Sequence, residues 1–391
     1  MKRNISYIMI LVILFVNIFY YRLNIRANDN EPSLYSLSAA IIDGDTGRVL
    51  YGKDENEKRP MASTTKIMTL IIALEYGNMD DVVTVSSYAS KMPDVQLGIC
   101  EGEQYRLLDL IYSMMLESHN DSAVAIAEHI GGDVNGFADM MNKKALEIGL
   151  SDTYFITPNG LDARDEKDMH HTTAKELALI MKYCIMDSPK KDEFVEICQT
   201  RSYSFKDYEE KRSFTVNNKN AFLDMMSGVI AGKTGFTGDA GYCYVCAVTR
   251  DDRTFIVALL GCGWPNNKSY KWSDSKGLLN YGFDNFKERK VFDENYPLEN
   301  IKVKNGIKKE EVALYVKDEL SLIMADYETV SYEVCLPEAV EAPVYKDDIA
   351  GSIIVFINDE PYISFNIYYT DDVERINYKY YFQQAVYNFL L

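Results

Sequence analysis

Residues 58–70 read KRPMASTTKIMTL, and the fold assigned to the chain depends on the role of Ser63 in this stretch. Ser63 precedes Lys66 by three positions, at the start of an apolar run that predicts a helix ending at Gly77. Two residues three positions apart on a helix lie on nearly the same face. Ser63 is therefore either a nucleophile beside its base or a helix cap beside a solvated lysine. The pattern S-x-x-K is common by chance, so these residues alone favour the cap.

A second motif, SHN at residues 118–120, lies between two stretches whose spacing predicts helices. Serine and asparagine favour turns and caps, which is the simplest interpretation of this break. The same residue types can also serve a reaction. The Asn120 amide can donate a hydrogen bond to a substrate carbonyl, and the Ser118 hydroxyl can pass on a proton.

A third motif, KTG at residues 233–235, lies in VIAGKTGFT, a sequence that predicts a strand. Lys233 would supply a fixed cation, and the Thr234 hydroxyl could bind a carboxylate. Gly235 would let a substrate backbone approach the strand edge. Each motif alone is a weak signal. In combination they follow the order, and lie on the elements, of the active-site set of penicillin-binding proteins and serine β-lactamases.

The region from residue 36 to residue 285 resembles the serine D-alanyl-D-alanine carboxypeptidases, the low-molecular-weight penicillin-binding proteins. The resemblance extends beyond the three motifs to longer stretches of sequence. These stretches are ASTTKIMT, LIYSMMLESHNDSAVAIAEHIGG, FADMMNKKALEIGL, FITPNGLDA, HTTAKELALIM and GKTGFTGDAGYCYVCAV. The resemblance implies an α/β fold of the serine β-lactamase and DD-peptidase type, in which helices flank an antiparallel sheet.

The resemblance also implies a catalytic role for four residues. Ser63 would be the acylated nucleophile and Lys66 its general base. Ser118 and Asn120 would complete the proton path and hold the substrate amide. Chemistry of this kind needs no metal and no cofactor.

The KTG segment would bind the substrate. By resemblance, Lys233 and Thr234 would contact the terminal carboxylate region of the substrate, and Gly235 and Phe236 would continue the same binding edge. The backbone N–H groups of Ser63 and Phe236 would form the oxyanion hole.

Three features depart from the family pattern or match it only loosely. Thr157 stands where the family usually has asparagine, which is a change in a loop. Lys271 aligns loosely with an arginine that helps to bind the carboxylate. The pair His170–His171 suggests a catalytic triad or a metal site, but the family uses neither. We expect a solvated loop pair instead.

The order of strands, helices and strands indicates one α/β domain over residues 34–286. Short β-like runs separated by turn signals then predict a smaller β-rich domain over residues 292–391. In the tail, Ile376, Tyr380 and Tyr387 share a helical stripe with Leu391. The opposite face has few of the Lys and Arg residues expected of a helix that lies on a membrane. This favours a packed terminal element of the β-rich domain.

Residues 1–27 carry the pattern of an export signal or a membrane anchor. Lys2 and Arg3 precede an apolar run over residues 5–21. Cleavage at Ala27 and retention as an anchor both remain open. Either outcome predicts that most of the chain works outside the cytoplasm.

The composition excludes some classes of function. A formal charge of −18 argues against a nucleic acid partner. The seven cysteines are scattered and odd in number, so disulfides are not expected to form the scaffold. The pair Cys243 and Cys246 has a metal-like spacing but lies in an apolar β-rich run without further ligands nearby, which favours core packing.

These observations predict an exported serine peptidase that removes the terminal D-alanine from peptidoglycan stems ending in D-Ala-D-Ala. β-Lactam antibiotics would acylate the same serine. One alternative is a serine β-lactamase, but no E-x-x-L-N-like stretch occurs between Ser118 and Lys233. The other is a catalytically inactive protein that binds the cell wall.

Overall fold

The computed structural model describes residues 32–390. The predicted signal or anchor, residues 1–27, lies outside this range. The chain divides after Asp284 into two compact units. Within the described range, no helix combines the length and the apolar character needed to cross a membrane.

The first unit combines an antiparallel sheet with helices. Its strands are β1 (Ser38–Asp43), β2 (Val49–Lys53), β3 (Val82–Thr84), β4 (Gln104–Arg106), β5 (Ser202–Lys206), β6 (Ser213–Asn217), β7 (Val229–Thr237), β8 (Gly241–Arg250) and β9 (Arg253–Leu260). Its helices are α1 (Lys66–Tyr76), α2 (Leu107–Leu116), α3 (Asn120–Gly131), α4 (Val134–Glu147), α5 (Ala174–Lys182), α6 (Lys191–Gln199), α7 (Phe222–Met225) and α8 (Tyr270–Asn285).

Five of these strands form one sheet in the order β2-β1-β9-β8-β7. β1 pairs antiparallel with β9, from Ser38 opposite Leu260 to Asp43 opposite Phe255, so the sheet joins both ends of the unit. The predicted antiparallel sheet with flanking helices is therefore confirmed. β7, which carries the KTG motif, is an edge strand of this sheet.

The helix after Ser63 is buried on all sides. Every residue from Lys66 to Leu74 is buried, as expected for a run that is apolar around its whole circumference. The helix ends before Gly77, as predicted. Ser63 itself lies in a 3₁₀ turn over Ala62–Thr65 that precedes α1, so it does not cap the α-helix.

Two further predictions are confirmed, namely the helix break at residues 118–120 and the burial of the pair Cys243 and Cys246 in the core. The break at residues 118–120 separates α2 from α3. Thr173 caps α5, and its hydroxyl accepts a hydrogen bond from the Glu176 N–H at 3.1 Å. Cys243 and Cys246 are fully buried in β8. No group of three or more potential metal ligands occurs among the described residues.

The second unit is β-rich, as predicted. Its elements are β10 (Phe286–Phe292), β11 (Ile301–Lys304), β12 (Glu311–Val312), β13 (Leu314–Val316), β14 (Leu320–Ala325), β15 (Val330–Cys335), β16 (Ala339–Glu341), β17 (Ile349–Ile357), β18 (Glu360–Tyr369) and α9 (Tyr378–Leu390). The largest sheet has the order β13-β18-β17-β15. Alternate residues of these strands, including Ile353, Val355 and Ile367, are fully buried and form the core of this unit.

The prediction that the tail packs onto the β-rich unit is wrong. α9 forms, but none of its described residues is buried. The proposed apolar stripe fails because Ile376 precedes the helix, which begins at Tyr378. The helix instead leaves aromatic side chains such as Tyr381 and Phe382 exposed.

Candidate active site

The nucleophile candidate Ser63 lies in a strained turn between two close backbone approaches. Ala62, just before it, has φ = +49°, which is rare for a residue with a side chain. On one side, a Cβ added to Gly160 would lie 2.0 Å from the Ala62 carbonyl oxygen. On the other side, a Cβ added to Gly235 would lie 2.8 Å from the Ser63 nitrogen. Glycine at both positions therefore lets a loop and strand β7 enclose the turn.

Lys66 lies next to Ser63 and is fully buried. Its Nζ is 2.7 Å from Ser63 Oγ. It also donates to the Asn120 side-chain oxygen at 2.8 Å and to the Asn159 carbonyl at 2.8 Å. Three oxygens therefore surround the amine, and one of them belongs to the nucleophile candidate.

The SHN residues contribute to both sides of the site. Asn120 is held at the start of α3, because its N–H donates to the Val95 carbonyl at 2.7 Å and its side-chain amide donates to Pro93 at 3.0 Å. Its side-chain oxygen therefore points to Lys66. Ser118 has φ = +68°, and its Oγ accepts a hydrogen bond from Lys233 Nζ at 2.9 Å.

The KTG segment forms one wall of the site. Lys233 is 3% exposed and also donates to the Thr234 carbonyl at 3.0 Å. The missing side chain at Gly235 allows β7 to lie against the Ser63 turn. Phe236 is 42% exposed, and its ring contacts that of Tyr242 with centroids 4.7 Å apart.

A cleft of about 600 Å³ joins these elements. Of the eight residues predicted from the sequence, six line it: Ser63, Ser118, Asn120, Thr234, Gly235 and Phe236. Lys66 and Lys233 lie behind this lining and reach it through the hydroxyls of Ser63 and Ser118. The structure therefore brings all eight predicted residues together.

Both buried lysines have lowered pKa values. Burial lowers the pKa of Lys233 to about 7, although the nearby Cys198 acts to raise it. Burial also lowers the pKa of Lys66 far below its ordinary value. The positive charge of Lys233 lowers it further, whereas Asp121 raises it. A lysine in such a place can hold a neutral amine near neutral pH.

Lys271 also lines the cleft. It is buried, donates to the Lys268 carbonyl at 2.6 Å, and has its ammonium 4.6 Å from the ring centroids of both Tyr242 and Trp272. Lys271, which aligns only loosely in sequence with the family arginine, thus lies beside the wall formed by the KTG segment.

One contact of the site and the burial of two histidines were missed from the sequence. Asn159 acts through its backbone carbonyl, which any residue would provide, so no residue type signals it. The expectation for His170 and His171 is wrong, because both are 2% exposed and neither is a solvated loop residue. His170 is buried against Phe155 and Thr65. Apolar and hydroxyl partners so distant in sequence cannot be recognised from the local pattern.

The sequence pattern of the D-alanyl-D-alanine carboxypeptidases matches residues 26–263. The chain belongs to this family. This carboxypeptidase also matches the C-terminal domain of penicillin-binding protein 5 over residues 286–375. Membership of this family identifies the protein as a serine-type hydrolase of the D-Ala-D-Ala carboxypeptidase class. Penicillin binding is a property of the same family.

Individual relatives agree with this family. The chain is 29% identical over 326 residues to the D-alanyl-D-alanine carboxypeptidase DacF of Bacillus subtilis, covering 81% of this chain and 80% of the relative. It is 28% identical over 364 residues to DacA of Haemophilus influenzae, covering 88% and 86%.

Solved structures show the same fold. Penicillin-binding protein 5 from Haemophilus influenzae matches with a TM-score of 0.68 at 27% identity, covering 88% of this chain and 99% of that one. The carboxypeptidase DacD from Francisella tularensis has a TM-score of 0.71 at 22% identity, covering 88% and 95%. The second match supports the fold alone.

Proposed function

We propose that this carboxypeptidase releases the terminal D-alanine of peptidoglycan stem peptides through an acyl-enzyme on Ser63. Ser63 Oγ attacks the carbonyl carbon of the penultimate D-alanine, and the bond to the terminal D-alanine breaks. The leaving amine takes a proton and departs as D-alanine. Water then hydrolyses the ester and restores the serine hydroxyl. The observation that carries this proposal is the distance of 2.7 Å between Lys66 Nζ and Ser63 Oγ.

The partners of Lys66 support its role as general base. A neutral amine has two N–H donors and one lone pair. The Asn159 carbonyl can only accept a hydrogen bond, and so can the Asn120 side-chain oxygen, because the nitrogen of that amide donates to Pro93. These two acceptors take both N–H groups. The lone pair then faces Ser63 Oγ and can receive its proton.

Lys233 has a different role in this proposal. Its contact with Ser118 Oγ supports a path that returns a proton to the leaving amine. Its positive charge, together with the Thr234 hydroxyl and Lys271 in the cleft lining, suits the terminal carboxylate of the substrate. The oxyanion would lie between the N–H groups of Ser63 and Phe236, which the close approach at Gly235 brings near each other.

The proposal is tested with labelled penicillin and a peptide ending in D-Ala-D-Ala. We expect the wild-type protein to take the label once, and to release D-alanine from the peptide. Ser63→Ala should do neither. Label on the Ser63→Ala variant would exclude Ser63 as the nucleophile. Rapid turnover of penicillin without peptide hydrolysis would favour a β-lactamase, and inactivity of the wild-type protein in both assays would favour a wall-binding protein.

We also infer that the enzyme acts at the outer face of the cytoplasmic membrane or in the cell wall. The export pattern of residues 1–27 supports this location, as does the extracytoplasmic substrate of the family. The exposed aromatic residues of α9 offer a second surface suited to a lipid interface. Cell fractionation with an antibody against the catalytic unit, and mass determination of the N terminus, would test location and cleavage. Recovery in the cytoplasm would contradict the inference.

A further inference from the structure

The two histidines that depart from the sequence-based expectation differ in what they contact. Both are buried, but only the imidazole of His170 reaches the turn that carries Ser63. We propose that His170 is a positioning residue that ties this turn to the loop supplying the Asn159 carbonyl. The proposal rests on the function of Ser63 given above, and it concerns the geometry of the nucleophile rather than contact with the substrate.

Both ring nitrogens of His170 are used. Nδ1 accepts a hydrogen bond from the Ile156 N–H at 3.0 Å, so this nitrogen carries no proton. Nε2 is 2.8 Å from Thr65 Oγ1. The Thr65 hydroxyl donates its own proton to the Ala62 carbonyl at 2.8 Å, so its oxygen is free to accept from Nε2–H. The contacts thus specify a neutral imidazole with its proton on Nε2.

The surroundings of the ring favour the same state. Burial, together with a smaller contribution from the neighbouring His171, lowers the pKa of His170 to about 3. The ring packs edge to face against Phe155, with centroids 5.8 Å apart. A ring in this place stays neutral through the pH range of ordinary enzyme assays, and its hydrogen bonds keep one direction.

The bond from His170 acts on the strained part of the turn. Thr65 Oγ1 bonds to the carbonyl of Ala62, the residue with positive φ immediately before Ser63. That same carbonyl lies against Gly160, which follows Asn159 in the loop. A second bond to this loop comes from the helix that follows the turn, where the Thr69 hydroxyl donates to the Pro158 carbonyl at 2.5 Å. His170 therefore ties the turn to the loop, and Thr69 ties the helix that follows the turn to the same loop.

This tie matters because the Asn159 carbonyl is one of the oxygens around Lys66. It accepts from Lys66 Nζ at 2.8 Å and lies 3.3 Å from Ser63 Oγ. If the loop moved away from the turn, the amine would lose an acceptor and its lone pair would no longer be aimed at the hydroxyl. A displacement of about 1 Å at a reacting group can slow a reaction by about 10²-fold.

The test compares the rate of acylation by labelled penicillin in full-length variants. His170→Asn keeps an acceptor near the Ile156 N–H but removes the donor to Thr65, and we expect acylation to slow by about 10- to 100-fold. His170→Gln can place an amide N–H near Thr65 and should recover much of this loss. His171→Asn is the matched control, because His171 is equally buried but bonds to the Met169 carbonyl at 2.7 Å and does not touch the turn. It should acylate within about twofold of wild type.

A double variant tests the route of the effect. If His170 acts through Thr65, His170→Asn combined with Thr65→Val should be about as slow as the slower single variant. Rates that multiply would overturn this route. The proposal also fails if His170→Asn acylates at the wild-type rate, or if His171→Asn is slowed equally. We expect the melting temperatures of His170→Asn and His171→Asn to fall by similar amounts. A loss of stability would then not explain why only His170→Asn acylates slowly.

A spectroscopic measurement does not depend on activity. Long-range ¹H–¹⁵N spectra of the imidazoles, assigned by the signals lost in His170→Asn, should show a neutral ring with its proton on Nε2 from pH 5 to pH 8. A ring that titrates near its ordinary pKa would contradict the proposed bonds. A wild-type protein that takes no label at all would overturn the proposed function and this role with it, whereas a labelled wild type with unslowed His170→Asn overturns this role alone.

Discussion

Lys66 and Lys233 are both buried at the same cleft, yet their surroundings differ in a way that separates their chemistry. Lys66 has three oxygen neighbours, one of which is the nucleophile candidate. Lys233 contacts the Ser118 hydroxyl and the carbonyl of its own neighbour in the strand. The charge of Lys233 lowers the pKa of Lys66, so protonation of one disfavours protonation of the other. We infer that a neutral Lys66 acts as the base beside a charged Lys233.

Replacing Lys66 should have the largest effect. Lys66→Met fills a similar volume but supplies no base, so we expect acylation by penicillin to slow by about 10³- to 10⁴-fold. Stopped-flow or gel-based labelling measures this rate, with Ser63→Ala as the blank. A variant that acylates within tenfold of wild type would show that another group takes the proton.

The glycine between the two halves of the site comes next. In Gly235→Ala the added Cβ would lie 2.8 Å from the Ser63 nitrogen and 3.0 Å from the Thr64 nitrogen, so the strand of Lys233 must move away from the turn. We expect acylation to slow by about 10²-fold. Gly238→Ala is the control, since nothing lies within 4 Å of its added Cβ. Equal rates in the two variants would mean that the contact at Gly235 does not position the nucleophile.

Part of this site could be predicted from the sequence, and part could not. The motifs with Ser63, Ser118 and Lys233 could be placed correctly because each lies at a helix start, a helix break or a strand, and local pattern determines such elements. The Asn159 carbonyl and the burial of His170 could not be predicted, because both arise from tertiary packing between distant segments. The unpacked α9 was missed for a related reason: an apolar stripe does not reveal whether a partner surface exists.

Replacing Lys233 by arginine should have a smaller effect at neutral pH. If Lys233 acts as a cation, wild-type acylation should fall as pH rises through about 7, where this lysine loses its proton. On the acid side the rate should fall as Lys66 gains a proton. Lys233→Arg stays charged, so we expect a loss of no more than about tenfold at pH 7 and no decline from pH 7 to pH 9.

The control for this pH profile is Lys190→Arg, a surface substitution at a residue that pairs with Glu193. It should leave both limbs of the profile unchanged. If the acylation rate of Lys233→Arg still declines at alkaline pH, another group causes that decline. The assignment of Lys233 as the cation beside a neutral Lys66 would then be wrong.

The smallest effect concerns stability rather than rate. A lysine whose pKa is lowered in the folded protein binds its proton more weakly there than in the unfolded chain, where the pKa is about 10.4. The folded state is therefore penalised fully below pH 7, and the penalty fades as pH rises from about 7 to about 10.4. Lys233→Met removes this penalty, and we expect its free energy of unfolding to exceed that of wild type by about 1 kcal/mol at pH 6. Urea denaturation at pH 6 and pH 10 measures the difference, which should shrink at the higher pH. A variant that is less stable at both values would mean that the hydrogen bonds of Lys233 outweigh its desolvation.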